Sequence, residues 1–287
     1  MKTNKAFIEL NLALIFLSTS GVLGRLIDMA PTLIIWWRCA FAVIIMYGFV
    51  KINSLDLKVH HKGDYFTIIL SAILLAAHWV SYFYSLALSN IAIAMLTLHT
   101  FPAMTALLEP VILKTKFKLY HLLLAFMIVL GVYIMLPPEG QSEKIIPAII
   151  FGLVSALAYA LRNIYTRKII ARYNGSSMMF FQLVIMTIIL LPILFTESTT
   201  SIKTEWPFVA SLALITTCLG HTLFVRNLKT YNATTISLLS SIVPIYGILW
   251  GIIFLSEYPS TRTIIGGTII LVAFIIESKK GRVNPKT

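Results

Sequence analysis

The chain has 287 residues, of which 58% are hydrophobic and only 12% charged, with a mean hydropathy of +0.88. Soluble domains carry about 25% charged residues, so a soluble surface of this composition would expose aggregating apolar patches. That excludes a water-soluble globular enzyme, and the high hydrophobicity excludes an intrinsically disordered chain. The formal net charge of +12 fits either nucleic-acid binding or the topology of a multi-pass membrane protein, and the positions of the charges decide between them.

Apolar runs of the length a bilayer requires, about 17–25 residues, fall at 7–27, 31–51, 66–88, 91–112, 119–136, 146–165, 176–196, 207–226, 233–254 and 262–276. The separators hold turn residues, among them Ser89-Asn90, Pro137-Pro138-Glu139-Gly140, Asn174-Gly175 and Tyr258-Pro259-Ser260, as short connections between antiparallel helices should. The first run follows Lys2 and Lys5 as a secretory signal would, but it is long for a signal and nine more runs follow, so we read it as retained. With the N-terminus in the cytoplasm, only Arg25, Lys144, Lys203 and Arg262 fall outside and Arg38 lies within a span; every other lysine and arginine is cytoplasmic. This bias predicts ten spans in the inner (plasma) membrane with both termini cytoplasmic. It accounts for the net charge without nucleic acid. Cys39 and Cys218 lie in apolar runs without CxxC or Cys/His spacing and read as buried thiols. Neither a metal nor a cofactor is implied.

Ten spans divide into two fives, which invites a search for an internal repeat. A shift of 142 residues lays Asn90 over Asn232, Leu96 over Leu238 and Pro102 over Pro244. Five is odd, so the halves 1–140 and 141–287 enter the membrane with opposite orientation, and such inverted repeats frame a cavity reachable from either side. The paired prolines Pro102 and Pro244 each remove a backbone hydrogen bond. In a membrane such a break persists where neighbours or water satisfy the freed carbonyl. We read them as gating breaks beside a binding site, with a simple packing kink as the alternative.

Polar residues in hydrocarbon face protein or water. Helical spacing places Ser71, His78, Tyr82 and Ser85 on one face of the third span, with Trp79 beside it. It also groups His99, Pro102, Ala106 and Glu109 on the fourth span, and Ser155, Tyr159 and Asn163 on the sixth, with Arg162 adjacent. Thr217 and His221 align on the eighth span, Ser237, Ser241, Pro244 and Gly251 on the ninth, and Asn11, Ser18 and Arg25 on the first. The substrate-cavity candidates are His78, Trp79, Tyr82, His99, Tyr159, Asn163, His221, Ser237 and Ser241. Gly131, Gly266 and Gly267 read as close helix contacts, and Gly247 and Gly251 read either that way or as cavity wall. Trp36, Trp37, Trp206 and Trp250 suit an aromatic belt.

Several of these residues have two readings. His78 is a substrate donor or proton acceptor, or a neutral histidine bonded to a neighbouring helix; His99 and His221 share that ambiguity. Glu109 is a coupling or gating carboxylate, or an interfacial ion pair with Lys114. Arg38 lies about 10 Å below the outer surface by helix rise. It snorkels outward, pairs with a carboxylate or attracts an anionic group, a structural role being the simplest. The chain has no GxxxxGK[ST] loop, no HExxH, no GxSxG and no filter-like acidic ring, so ATP-driven transport, these enzyme classes and a channel lack support.

The stretch from Asn232 through Ser237-Leu238-Leu239 to Pro244, with an apolar run ending at Glu257 thirteen residues after the proline, resembles the second repeat of the EamA family of the drug/metabolite transporter superfamily. The first repeat is similar through Ala87-Leu88, Ile91-Ala92, Pro102 and Gly131, but Thr115 stands where the family's glutamate would fall. Trp37-Arg38-Cys39-Ala40-Phe41 resembles the start of the family's second helix. The resemblance spans essentially the whole chain. It implies an all-α membrane protein of ten helices in two inverted five-helix repeats, with a central cavity lined by helices 1, 3, 4, 6, 8 and 9, and a helix-ending rather than catalytic role for Glu257.

The expectation is a secondary transporter, not an enzyme, moving a small metabolite by alternating access, with protons an open choice of coupling ion. Tyr82, Trp79 and Tyr159 would wall the substrate and His78, His99, Asn163 and Ser241 bond it. Amino acid export is the direction the resemblance favours. Uptake of a nucleobase, vitamin or nucleotide-like compound is the alternative, and a non-transporting scaffold a more distant one.

Overall fold

The structure, a computed structural model, describes residues 2–114, 120–136, 143–231, 233, 236 and 239–281. Among them there is no strand. Seven helices are long and apolar enough to cross a membrane: α1 Ala6–Arg25, α2 Pro31–Ile52, α3 Asp64–Leu88, α4 Ile91–Leu113, α6 Ile145–Arg172, α7 Gly175–Phe195 and α8 Ile202–Asn227. Three shorter apolar helices complete the set, α5 Leu122–Met135, α9 Val243–Leu255 and α10 Thr261–Ala273. They correspond one for one to the ten predicted spans. Cys39 and Cys218 are free and buried, as expected.

Helix ends follow the sequence. Pro31 opens α2 where its missing N–H costs nothing. Asn90 caps α4 by accepting the Ile93 N–H at 2.9 Å, and Asn174 caps α7 by accepting that of Ser176 at 2.8 Å. α4 and α9 both stop at left-handed residues, Lys114 at φ 55° and Ser256 at φ 54°. These two positions are themselves 142 residues apart.

The two proline helices break alike, and not at the proline itself. α4 consists of Ile91–Leu98 and Phe101–Leu113, interrupted at His99-Thr100. α9 is preceded by a 3-10 turn at Ser240–Ile242. Pro102 and Pro244 each sit in the first turn of the restarted helix. A proline cannot donate to the carbonyl four residues back and its ring crowds it, so the break lies one turn earlier. Thr100 Oγ1 bonds Thr97 O at 2.8 Å and Ser240 Oγ bonds Ile236 O at 2.7 Å, serving carbonyls around each break.

Packing follows the exchange of halves. α3 packs most extensively on α6, and its counterpart α8 on α1; α4 packs on α6 and α9 on α1; α3 meets α7 and α8 meets α2. The α5–α10 and α2–α7 contacts map onto themselves. α5 and α10 touch through backbone: a methyl on Gly131 would lie 2.7 Å from Gly266 O. Gly247 and Gly251 prove to be packing surface, not cavity wall. A Cβ there would lie 2.9 Å from Met95 and 3.1 Å from Ile91 of α4.

Two spans differ from their hydropathy limits. α6 runs past residue 165 to Ile169 and a 3-10 turn at Ile170–Arg172, because helical hydrogen bonding continues through Arg167 and Lys168 where apolarity stops. α8 starts at Ile202 and carries a π-helical segment over Leu212–His221, which periodicity analysis at 3.6 residues per turn does not detect.

Candidate functional site

The candidate site is a narrow cavity among α1, α2, α3, α4, α6, α8 and α9 in which a water-sized sphere's centre has only about 40 Å³ to occupy. A single water needs about 10–15 Å³ on that measure, so the cavity holds a few waters and must widen to admit a metabolite. Its walls are repeat-related. Leu17 and Tyr159, Trp79 and His221, Tyr82 and Phe224, Leu98 and Ser240, and Phe101 and Val243 all line it, and each pair is separated by 142 residues. One pair meets directly: Trp79 Nε1 donates to His221 Nε2 at 3.2 Å across that 142-residue separation.

His78 and Tyr159 stack with centroids 4.2 Å apart, and Phe101 closes on Tyr159 edge-on at 4.8 Å. Ser155 Oγ donates to His78 O at 2.8 Å and lies 2.7 Å from His78 Nδ1. The hydroxyl hydrogen is thereby used, so Nδ1 carries the ring hydrogen and Nε2 is the acceptor of the neutral ring. His99 is held likewise, Nδ1 donating to Met95 O at 2.7 Å. His221 Nε2 accepts from Trp79, which leaves Nδ1 with the hydrogen; that atom is buried without a partner among the described residues. The cavity thus offers histidine acceptors from α3 and α4 and a histidine donor from α8.

Arg38 also lines the cavity, so α2 joins the six helices the resemblance implied. It does not reach the surface, and among the described residues it pairs with no carboxylate. Its side chain is 1% exposed, and it bonds Thr217 Oγ1 from Nε at 2.6 Å and Thr216 Oγ1 from Nη2 at 2.8 Å. The guanidinium lies 3.8 Å over Trp79. Both threonines and His221 lie in the π segment of α8.

His78, Trp79, Tyr82, His99, Tyr159 and His221 are therefore brought together. Asn163 is not. It is buried beside Arg162, accepting from Nη1 at 3.1 Å, outside the cavity wall. Arg162 itself bonds Gln182 Oε1 at 2.5 Å, and Gln182 Nε2 reaches Ser71 Oγ at 2.8 Å. That network ties α3, α6 and α7 together away from the cavity. Asn11 is exposed and bonds its own helix. Ser18 accepts from Trp250 Nε1 at 2.9 Å, which draws Trp250 into the α1–α9 contact rather than a belt. Ser237 lies outside the described residues, as does the side chain of Ser241. Sequence periodicity overlooked Ser20, Met95, Phe101 and Phe224; the 142-residue shift applied to Tyr82 would have pointed to Phe224.

Glu109 and Glu257 each accept a backbone N–H of the other half. Glu109 Oε1 accepts the Ala233 N–H at 3.2 Å. Glu257 Oε2 accepts the Ile91 N–H at 3.0 Å while its Oε1 binds Arg25 Nε at 2.7 Å. Ile91 and Ala233 are repeat equivalents. Ile91 opens α4, so a carboxylate of the other half meets that helix's N-terminus, where negative charge is favoured.

The profile of the EamA-like transporter family matches residues 5–136 and again 146–278. The pseudopaline exporter CntI of Pseudomonas aeruginosa is 25% identical over 251 residues, covering 86% of this chain and 87% of that one. An S-adenosylmethionine uptake transporter of Rickettsia conorii is 22% identical over 257 residues, covering 88% and 84%. A solved crystal structure shares the fold with a TM-score of 0.71 at 16% identity, over 97% of this chain and 98% of that chain.

Proposed function

Because the chain belongs to the EamA-like transporter family, we propose that it is a secondary active transporter or exchanger of a small metabolite, working by alternating access through the cavity between its halves. The observation that carries this reading is the repeat-related wall: five pairs of lining positions, each 142 residues apart. Rocking one half against the other presents the same walls to either end, as inverted repeats do. We take the repeats as 1–140 and 141–287, the membrane as the plasma membrane and both termini as cytoplasmic, in line with the lysine and arginine bias. The favoured cargo is an amino acid or a related metabolite, exported. Aromatic walls, histidine acceptors and basic donors suit a zwitterion, and a relative of similar extent is an exporter. Uptake is the second reading, supported by the relative that takes up S-adenosylmethionine and by the stacked His78–Tyr159 pair, which matches a flat ring. Proton coupling would run through the cavity histidines.

Counterflow in liposomes tests the reading. Purified protein is loaded with unlabelled amino acids or nucleosides, and labelled uptake is followed. Saturable exchange of an amino acid, reduced at least tenfold by His78→Ala, is the expected result. Exchange of nucleosides alone would favour uptake of a nucleotide-like compound, and exchange of neither class would contradict the proposed cargo.

A further inference from the structure

Among the described residues the cavity is lined by one charged side chain, Arg38, together with the neutral rings of His78, His99 and His221, and by no aspartate or glutamate. Arg38 is only 1% exposed, yet the groups around it are two threonine hydroxyls and an indole face. Among the described residues no carboxylate ion-pairs with it. A buried cation without a counter-charge is costly, and the cost is relieved by bringing an anion to it.

Arg162 provides the internal contrast. It is buried too and ion-pairs with no carboxylate among the described residues; amide oxygens of Gln182 and Asn163 take up its Nη2 and Nη1 while its Nε has no partner there, but it does not line the cavity. Arg38 does line it. Beside it, His221 holds a second donor with no acceptor among the described residues, the Nδ1 hydrogen left by the bond from Trp79. Arg38 and His221 are packed against the same indole, at 3.8 Å and 5.0 Å from its ring centroid. Thr216 and Thr217 hold the guanidinium fork from the π segment of α8, and Thr216 spends its own hydrogen on Leu212 O at 2.7 Å, so its lone pairs face Arg38.

We propose that Arg38 and His221 form an oxyanion subsite, so that the transported compound must carry a carboxylate or a chemically similar oxyanion, which these two donors bind beside Trp79. The proposal rests on the transport reading for its meaning, but binding at the subsite is measurable without flux. A planar, bidentate donor suits a carboxylate better than a lysine would.

The test uses matched compounds: L-phenylalanine, 2-phenylethylamine, which lacks the carboxylate, and 3-phenylpropionate, which lacks the amine, with the corresponding leucine and methionine sets. Binding to the purified full chain is read as thermal stabilisation, and transport as counterflow in liposomes. The amino acids and the acids should stabilise the wild type and the amines should not. Arg38→Gln should weaken acid binding at least tenfold, and Arg38→Lys, which keeps the charge but not the fork, should weaken it less. The comparison of acid with amine needs no variant, so it decides the matter even if Arg38→Gln folds poorly. Amines binding as well as acids, acids binding Arg38→Gln undiminished, or no carboxylate in the sets binding at all would each overturn the subsite. Counterflow of amines alone would overturn the subsite and leave transport standing. Arg38-dependent binding of acids without counterflow would keep the subsite and overturn the transport reading.

Discussion

The two halves of the chain build the cavity from the same positions but furnish it with different chemistry. Shape repeats: the helix breaks, the left-handed stops at Lys114 and Ser256 and five pairs of wall residues all recur 142 positions on. Polar groups do not. His78 has Gly220 as its counterpart, and Arg38 has Phe180. On the proposed transport reading, the repeat would account for two-sided access and the departures from it for what is bound, with selectivity free to come from a few residues of one half.

Disturbing the two buried arginines separates scaffold from site with the largest expected effect. Arg162→Ala leaves two buried amide acceptors unpaired, at about 1–3 kcal/mol each, and should lower the thermal midpoint far more than Arg38→Gln. If the two variants unfold alike, Arg162 and Arg38 do not differ in role. Exchanging the direct repeat pair is next. Trp79→His and His221→Trp alone should each reduce flux at least tenfold, about 1.4 kcal/mol. The double exchange should restore most of the thermal stability but not the flux, because Arg38 lies over one partner only. Full recovery of transport would mean that the chemistry is symmetric too.

The two carboxylates give a smaller effect. Glu257→Gln and Glu109→Gln each weaken a charge-assisted contact to a backbone N–H, that of Ile91 at the start of α4 and that of Ala233, worth about 0.5–2 kcal/mol, and Glu257→Gln also loses the Arg25 pair. Thiol-labelling rates at the two ends should shift in opposite directions in the two variants. Shifts in the same direction would show that the contacts do not bias the two open states differently. Asn11→Ala should change stability by less than about 0.5 kcal/mol, since the side chain is exposed and bonds only its own helix.

Most of the scaffold is legible in the sequence because membrane helices declare themselves by length and apolarity. Prolines mark the breaks to within one turn, and Asn90 and Asn174 mark two starts. The site is legible in part. Faces computed at 3.6 residues per turn collect His78, Tyr82 and Tyr159 correctly, but they state only which residues share a face, not which neighbour that face meets. Asn163 shares the face of Tyr159 yet turns into the Arg162 network. Thr216 and Thr217 both reach Arg38 from the π segment, which has no sequence period of its own. The partnerships of Glu109 with Ala233 and of Glu257 with Ile91 join residues 124 and 166 apart, and hydropathy carries no such information.

Alternating access is tested most directly without knowing the cargo. In a chain carrying Cys39→Ser and Cys218→Ser, Leu98→Cys places a single thiol on the cavity wall. A membrane-impermeant thiol reagent applied to sealed vesicles of known orientation should label it from either side, and labelling from each side should slow when a transported compound is present. Labelling from one side only, at any reagent exposure and with or without such a compound, would contradict a cavity that opens alternately to both ends.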